Sequence, residues 1–135
     1  MLPDDRVLAV SGKEPGPPPT NLALVANARL FDPATSDFSL ARALIWPRAG
    51  STATRLPDGR VLVFGGEGDG RWPDRGELYD PFTGLFSATV SAGTGRVGHT
   101  ATLLQSGKVL IAGGQAGISA VSDSSPAKSL LFEPM

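Results

Sequence analysis

The sequence contains no cysteine, one histidine and one tyrosine among its 135 residues. The absence of cysteine excludes a disulfide framework, a thiolate metal site and a cysteine nucleophile. A lone histidine without cysteine does not build an ordinary zinc site either, because zinc needs several nitrogen, sulfur or carboxylate ligands. We therefore predict no metal and no cofactor.

Long apolar runs and an excess of one charge are absent as well. No run approaches the roughly 18 apolar residues of a membrane span, and the segment from Met1 to Arg6 lacks the layout of a signal peptide. The 12 basic and 13 acidic residues give a net charge of −1, which offers no electrostatic basis for binding nucleic acid. The sequence thus predicts no nucleic-acid partner and no membrane span.

Glycine and proline are frequent instead, with 17 and 12 residues, as expected for many short strands joined by tight turns. Residues 55–66 and 103–114 share a turn, an apolar segment and a glycine pair, and residues 2–12 are a weaker copy. A second signature, made of leucine, an aromatic residue, an acid and proline, occurs at 30–33, 78–81 and 131–134. This self-similarity, with a period of about fifty residues, indicates a repeat architecture.

The middle copy indicates what one repeat forms. Residues 61–64, Val-Leu-Val-Phe, are apolar throughout, and a strand without a polar face must be covered on both sides. The tripeptide Pro57-Asp58-Gly59 before it is a tight-turn signal. The predicted strands of this copy are 50–56, 61–64, 77–80 and 85–89. The predicted unit is a four-stranded antiparallel meander.

Residues 21–30 offer a helical alternative, since their alanines and leucines could form two turns. The alternation of Leu22 and Leu24 favours a loop followed by a strand. We predict ten strands, grouped as three, four and three. The corresponding units are an incomplete first blade (1–47), a complete blade (48–95) and an incomplete last blade (96–135).

Sheets that are covered on both faces and repeat at this spacing are the blades of a β-propeller. The predicted fold class is all-β, with about two and a half blades in an open arc. A propeller ring needs roughly four to eight blades, and an open arc would leave apolar faces in water. Either the chain is a segment of a longer propeller, or copies associate to complete a ring.

The sequence resembles the kelch-repeat family, especially the bacterial kelch proteins related to the propeller of galactose oxidase. The resemblance rests on residues 77–86 with the Tyr-Asp-Pro signature, 96–103 with Gly-His-Thr, and 107–114 with the glycine pair. The first copy departs from this pattern, with Ser11-Gly12 in place of the glycine pair. Ser51 likewise stands where the next copy has His99.

The resemblance implies structural roles for the repeated signature residues, which are Gly65, Gly66, Gly113, Gly114, Tyr79 and His99. Tyr79 aligns with Phe31 and Phe132, which marks it as a packing aromatic. His99 could act as a ligand or a base, but members of the family use this position structurally. Galactose oxidase uses a tyrosine cross-linked to cysteine together with histidine ligands for copper, and this sequence cannot supply that set.

Residues 71–75, Arg-Trp-Pro-Asp-Arg, are the best candidate for molecular recognition. They lie between the second and third strands, where the repeats differ most, and tryptophan with arginine is enriched at interface hot spots. The alternative is that Trp72 packs on the neighbouring blade. The matching loops are 12–27 and 115–127. The predicted binding residues are Arg71, Trp72, Asp74, Arg75, Lys13 and Glu14.

The glycine-rich stretch 65–70 does not predict a phosphate site, because it lacks the lysine and the following helix of a P-loop. Glu67 and Asp69 have a spacing that suits calcium but lack the other ligands of a calcium loop. A solvated turn is the favoured interpretation of this stretch.

We predict a non-enzymatic kelch-type scaffold whose variable loops bind a protein or a glycan. The alternative is a segment of a larger propeller enzyme, similar to a carbohydrate oxidase, whose catalytic residues lie outside these 135 residues. A third option is a structural unit without a ligand of its own. Further blades of a longer chain, or a second copy, are the predicted partners of the end faces.

Overall fold

The computed structural model describes residues 1–19, 22–69, 72–116 and 129–134. Within these ranges the chain forms β-strands and no helix, which confirms the all-β prediction. No helix in this part of the chain could cross a membrane. The strands are β1 (Val7–Val10), β2 (Lys13–Pro15), β3 (Leu22–Leu24), β4 (Ala28–Asp32), β5 (Asp37–Leu40), β6 (Thr52–Arg55), β7 (Val61–Phe64), β8 (Arg75–Asp80), β9 (Leu85–Ser91), β10 (Arg96–Leu103), β11 (Val109–Ala116) and β12 (Leu130–Phe132).

Three antiparallel sheets carry the sequence repeats. The first sheet has the order β1-β4-β5, the second β6-β7-β8-β9 and the third β10-β11-β12. The second sheet is the four-stranded meander that the sequence predicts, and the first and third sheets have three strands each. These sheets do not close into a barrel or a ring within the described residues, so the architecture is open.

A small two-stranded sheet lies within the segment 12–27 that the sequence predicts as a loop. In it, β2 pairs with β3 through the register Lys13↔Leu24, Glu14↔Ala23 and Pro15↔Leu22. The helical alternative for residues 21–30 is wrong for the described residues 22–30, because β3 and the start of β4 occupy this segment. The small sheet adds two strands to the ten predicted.

The glycine pairs stand in different local settings in the second and third sheets. In the second sheet β7 ends at Phe64, directly before Gly65. In the third sheet β11 continues through Gly113 and Gly114 to Ala116, because β10 begins as early as Arg96 and pairs with this extension. The strand predicted as 61–64 therefore ends before its glycine pair, whereas the corresponding strand of the third sheet runs through its own pair.

Strand β7 is buried on both of its faces, as its apolar sequence requires. Val61 and Val63 belong to a first core cluster, which also contains Leu2, Leu30, Leu44 and Tyr79. Leu62 and Phe64 belong to a second core cluster, which also contains Leu56, Val109 and Ile111. Alternate side chains of a strand point to opposite faces, so β7 joins the hydrophobic core shared with the first sheet to the core shared with the third.

At both junctions between consecutive sheets the same two repeat positions are in contact, but their side chains differ. His99 of the third sheet is 7% exposed and packs edge-on against Phe64, with ring centroids 5.7 Å apart. A Cβ atom at Gly65 would overlap the imidazole and lie 2.7 Å from the Arg96 carbonyl oxygen. At the preceding junction the Ser51 hydroxyl donates to the Ser11 hydroxyl at 2.9 Å.

Gly65 and Ser11 both have a left-handed backbone, with φ of 68° and 63°. One junction therefore combines a large ring with no side chain, and the other combines two small side chains. The departures of Ser11 and Ser51 from the repeat compensate for each other.

This compensation predicts a measurable coupling. Gly65→Ser should lower the free energy of unfolding by about 2 kcal/mol, because overpacking against His99 has a cost of that order. Adding His99→Ser should recover part of the loss, because the double variant recreates the pair of serines found at the other junction. Urea unfolding of the wild type, both single variants and the double variant measures the coupling.

Gly84→Ser is the control, since Gly84 has φ of 71° but no atom near the position of an added Cβ. The free energy of unfolding lost in Gly84→Ser measures only the cost of placing a side chain at positive φ. Strictly additive effects of Gly65→Ser and His99→Ser would contradict the packing described for this junction.

Candidate functional site

A cleft of about 280 Å³ at one end of the second sheet contains both tryptophans of the chain. We call it the loop cleft; its lining residues are Trp46, Pro47, Gly68, Asp69, Trp72, Pro73, Asp74 and Arg75. Its size lies just below the range for small-molecule sites, roughly 300–1,000 Å³. It therefore suits one small ring-shaped group rather than an extended cofactor.

Three segments that are distant in sequence form the walls of the loop cleft. Residues 41–51 connect the first sheet to the second and supply Trp46 and Pro47. The chain that leaves β7 supplies Gly68 and Asp69, and the chain that enters β8 supplies residues 72–75. These segments meet because β7 and β8 are antiparallel, so that β7 ends at the same end of the sheet at which β8 begins.

Three of the predicted binding residues line this cleft. Trp72 and Asp74 are half-buried in its wall, and Arg75 is exposed at the start of β8. Arg71 lies outside the described residues. The backbone of Trp72 also lies against Gly95, the residue before β10, since a Cβ added at Gly95 would lie 2.0 Å from the Trp72 carbonyl oxygen. Trp72 thus borders both the cleft and the neighbouring sheet.

Lys13 and Glu14 lie on β2 and are exposed. The structure does not bring them into the lining of the loop cleft. Lys13 nevertheless reaches towards it, because its Nζ is 2.8 Å from a carboxylate oxygen of Glu67, the residue before Gly68.

Trp46 lines the cleft but is absent from the predicted binding residues. Its signal in the sequence is its type, since it is one of only two tryptophans. Nothing in the local pattern indicates that it meets Trp72, because the contact depends on how the connection 41–51 runs across the end of the second sheet.

A buried carboxylate holds this connection in place. Glu77 of β8 is 0% exposed and accepts hydrogen bonds from the backbone N–H groups of Ile45 at 2.6 Å and Trp46 at 3.2 Å. These two N–H groups have no strand partner, so the carboxylate takes the role of a neighbouring strand. Glu77 therefore fixes the backbone from which the Trp46 side chain enters the cleft.

Arg48 completes this buried network. Its Nη2 lies 3.0 Å from the Glu77 carboxylate and also donates to the Arg75 carbonyl at 3.2 Å, while Nη1 donates to the Gly65 carbonyl at 3.0 Å. Burial lowers the pKa of Arg48, and the charge of Glu77 opposes that shift. The ion pair thus links all three segments that form the cleft.

Arg96 occupies the equivalent position in the third sheet. It is buried, and its Nη1 donates to the Gly113 carbonyl at 3.4 Å, as Arg48 does to Gly65. The residue that aligns with Glu77 in the third copy is Leu130. The arginine thus recurs in the repeat, whereas a glutamate at the position of Glu77 occurs only in the second copy, which carries the cleft.

Two signature residues, Tyr79 and His99, lie between the sheets and not in the cleft, whereas Gly113 is exposed. Tyr79 is 1% exposed in the first core cluster. The Nε2 atom of His99 lies 2.9 Å from the Thr52 hydroxyl, and its Nδ1 has no hydrogen bond of normal geometry. Burial lowers the pKa of His99, the charge of Arg96 adds to this, and the nearby Phe64 backbone opposes it. A neutral imidazole is therefore favoured at this junction.

No family model and no curated protein matches the chain significantly. Solved structures do match it, 103 chains in total. One is described as a novel fungal alcohol oxidase with catalytic diversity among the AA5 family, in complex with copper. Its TM-score is 0.77 at 20% sequence identity, over 96% of this chain and 28% of the oxidase chain. This similarity shows a shared fold, and the chain spans little more than a quarter of that enzyme's length.

Metal ligands are not clustered in the part of the chain that the structure describes. There, no group of three or more histidine, cysteine, aspartate or glutamate side chains is arranged to hold a metal ion. The carboxylates Asp69 and Asp74 line the loop cleft together with Arg75. The lining of the cleft can therefore provide aromatic stacking and a few polar contacts to a ligand.

The buried ion pair predicts a large effect for a small chemical change. Glu77→Gln should lower the free energy of unfolding by about 3 kcal/mol, because it leaves the Arg48 charge buried without a carboxylate. It should also shift tryptophan emission, since Trp46 loses part of its backbone support. Urea unfolding followed by fluorescence measures both effects.

Asp58→Asn is the matched control, because Asp58 pairs with Arg60 at 2.7 Å on the surface. An exposed pair of this kind contributes at most about 1 kcal/mol. Equal and small losses in the two variants would contradict a supporting role for Glu77.

Proposed function

We propose that this chain is part of a kelch-type β-propeller and binds a glycan in the loop cleft without catalysing a reaction on it. The observation that carries the proposal is the presence of Trp46 and Trp72 in one small cleft together with Asp69, Asp74 and Arg75. The proposed blades are residues 1–47, 48–95 and 96–135, and each of the three repeat sheets lies within one of them.

The chemistry of the cleft suits a sugar ring. Such a ring presents C–H groups on its faces, which pack against indole, and hydroxyl groups around its rim. Carboxylates such as Asp69 and Asp74 accept hydrogen bonds from hydroxyl groups, and the guanidinium of Arg75 donates them. A protein partner would insert one side chain into the same cleft, and titration with oligosaccharides separates the two possibilities.

A binding role is favoured over a catalytic one by the location of the reactive side chains. His99 and Tyr79 are the groups of this chain best suited to acid–base or radical chemistry. Both are buried between the sheets, where they pack and do not meet the cleft. A ligand in the loop cleft would therefore touch neither of them.

Because both tryptophans line the cleft, intrinsic fluorescence reports on this site without background. Titration with cello-, xylo-, manno- and chito-oligosaccharides should give a saturable change in tryptophan emission with at least one of them. Trp72→Ala should weaken that binding at least tenfold and leave the circular dichroism spectrum unchanged, because it removes a stacking surface and not a core residue.

Phe82→Ala is the control, since Phe82 is 81% exposed in the turn at the opposite end of β8. It should bind as the wild type does. A flat response to every oligosaccharide would contradict glycan binding, and loss of the folded spectrum in Trp72→Ala would show that Trp72 is a core residue.

A second candidate function is that of a segment of a larger propeller oxidase. The similarity to the fungal AA5 alcohol oxidase favours it, since this chain covers 28% of that protein. On this hypothesis the chain supplies scaffold, and the copper ligands lie in other parts of the polypeptide. The loop cleft would then border the active site or bind a remote part of the substrate.

The intact mass of the protein purified from its source tests the second candidate. A mass well above 13.9 kDa, with further copies of the glycine-pair repeat and additional histidine, tyrosine and cysteine, is the expected result. A native mass of 13.9 kDa would contradict this hypothesis.

A further inference from the structure

The two junctions between the repeat sheets differ in one chemical property, because only one of them contains a titratable pair member. At the junction of the second and third sheets His99 packs against Gly65. At the junction of the first and second sheets the equivalent positions hold Ser51 and Ser11, whose hydroxyl groups are hydrogen-bonded. Histidine changes its charge near pH 6.5, whereas serine has no charge to change. The chain thus places a titratable contact beside an equivalent contact that does not titrate.

The surroundings of His99 are unfavourable for a positive charge on its ring. The side chain is buried, with the hydroxyl of Thr52 on β6 at 2.9 Å from Nε2. Strand β7 packs the ring of Phe64 against the imidazole, and Gly113 of β11 lies opposite His99 in the strand register. The charged group that acts on the imidazole is the buried guanidinium of Arg96, on the same strand. None of these groups is an anion, and one is a cation.

These surroundings determine how the stability of the junction depends on pH. Burial and the charge of Arg96 lower the pKa of His99, and the Phe64 backbone opposes this shift without cancelling it. In the unfolded chain the imidazole binds its proton near pH 6.5, whereas in the folded chain it does so only at lower pH. The contribution of His99 to stability is therefore complete above about pH 6.5 and is lost as the pH falls below that value.

The junction that holds His99 is also attached to the wall of the loop cleft. The Gly66 N–H donates to the Arg96 carbonyl at 2.9 Å, which ties the chain leaving β7 to the start of β10. The same segment of chain continues to Trp72, whose backbone lies against Gly95. One wall of the cleft is therefore held at two points by the beginning of the third sheet.

We propose that His99 is a pH sensor, in which a proton bound by the imidazole loosens the junction between the second and third sheets and with it the wall of the loop cleft. The imidazolium and the Arg96 guanidinium would then be two like charges in a buried site, and separation of the sheets hydrates both. The effect on ligand binding rests on the function proposed above, whereas the loosening of the junction does not.

Amide hydrogen exchange at two equivalent glycines tests the loosening within one molecule. The Gly66 N–H donates to the Arg96 carbonyl at 2.9 Å, and at the other junction the Gly12 N–H donates to the Arg48 carbonyl at 2.9 Å. When the pH is lowered from about 7 to about 5.5, the protection factor of Gly66 should fall about fivefold relative to that of Gly12. In His99→Gln the ratio should stay constant, because glutamine does not titrate.

A ratio that stays constant in the wild type, or that changes equally in His99→Gln, would overturn the proposal. If His99→Gln does not fold, the double variant Gly65→Ser with His99→Ser replaces it, because that variant copies the serine pair of the other junction. Its ratio of protection factors should likewise be independent of pH over this range.

The effect on the cleft is measured with whichever cello-, xylo-, manno- or chito-oligosaccharide binds the wild type most tightly. Its affinity should fall over the same pH range in the wild type and stay constant in His99→Gln. Equal affinities at both pH values while Gly66 loses protection would overturn the link to the cleft. If none of these oligosaccharides binds at either pH, the proposed function fails, and the ratio of Gly66 to Gly12 still decides whether His99 senses pH.

Discussion

Burial of β7 on both faces is the constraint on which the rest of the structure depends. Val61, Leu62, Val63 and Phe64 are all buried, two towards each neighbouring sheet. Burying one such side chain contributes roughly 1.5–3 kcal/mol, whereas an exposed ion pair contributes at most about 1 kcal/mol. The second sheet is therefore stable only between two others, and stacking of sheets follows from four consecutive apolar residues.

Stacking also creates the candidate site. When one sheet packs on the next, the chain that connects them crosses the end of the second sheet and brings Trp46 to Trp72. Arg48 and Glu77 then lie in the junction, where burying two charges costs free energy that their attraction offsets only with good hydrogen bonds. Their contribution is best understood as positioning, since together they hold the backbone of three cleft segments. The repeated sheets provide a rigid frame, and the segments that connect their strands form the cleft for which we propose recognition.

The sequence predicts those features that depend on local pattern. The limits of β7 agree with prediction because the apolar run is bounded by a turn and by Gly65. The small sheet is not predicted, because Lys13–Pro15 has no alternation of apolar and polar residues. Its pairing with Leu22–Leu24 depends on the path of the chain and not on a local pattern. The same reason applies to the site: the sequence indicates Trp72, but its meeting with Trp46 and the pairing of Arg48 with Glu77 depend on the path of a connection between sheets. Likewise, Ser11 and Ser51 are two separate departures from the repeat pattern in the sequence, whereas in the fold their hydroxyl groups form one hydrogen bond.

The most direct test of this account is a nuclear Overhauser measurement at the junction of the second and third sheets. The imidazole Hε1 of His99, the only histidine, should give cross-peaks to the Hα protons of Gly65 and to the ring of Phe64. These cross-peaks are expected at neutral pH in the folded chain. Their absence from a folded protein with intact strand signals would contradict the stacking of sheets from which the cores and the cleft follow.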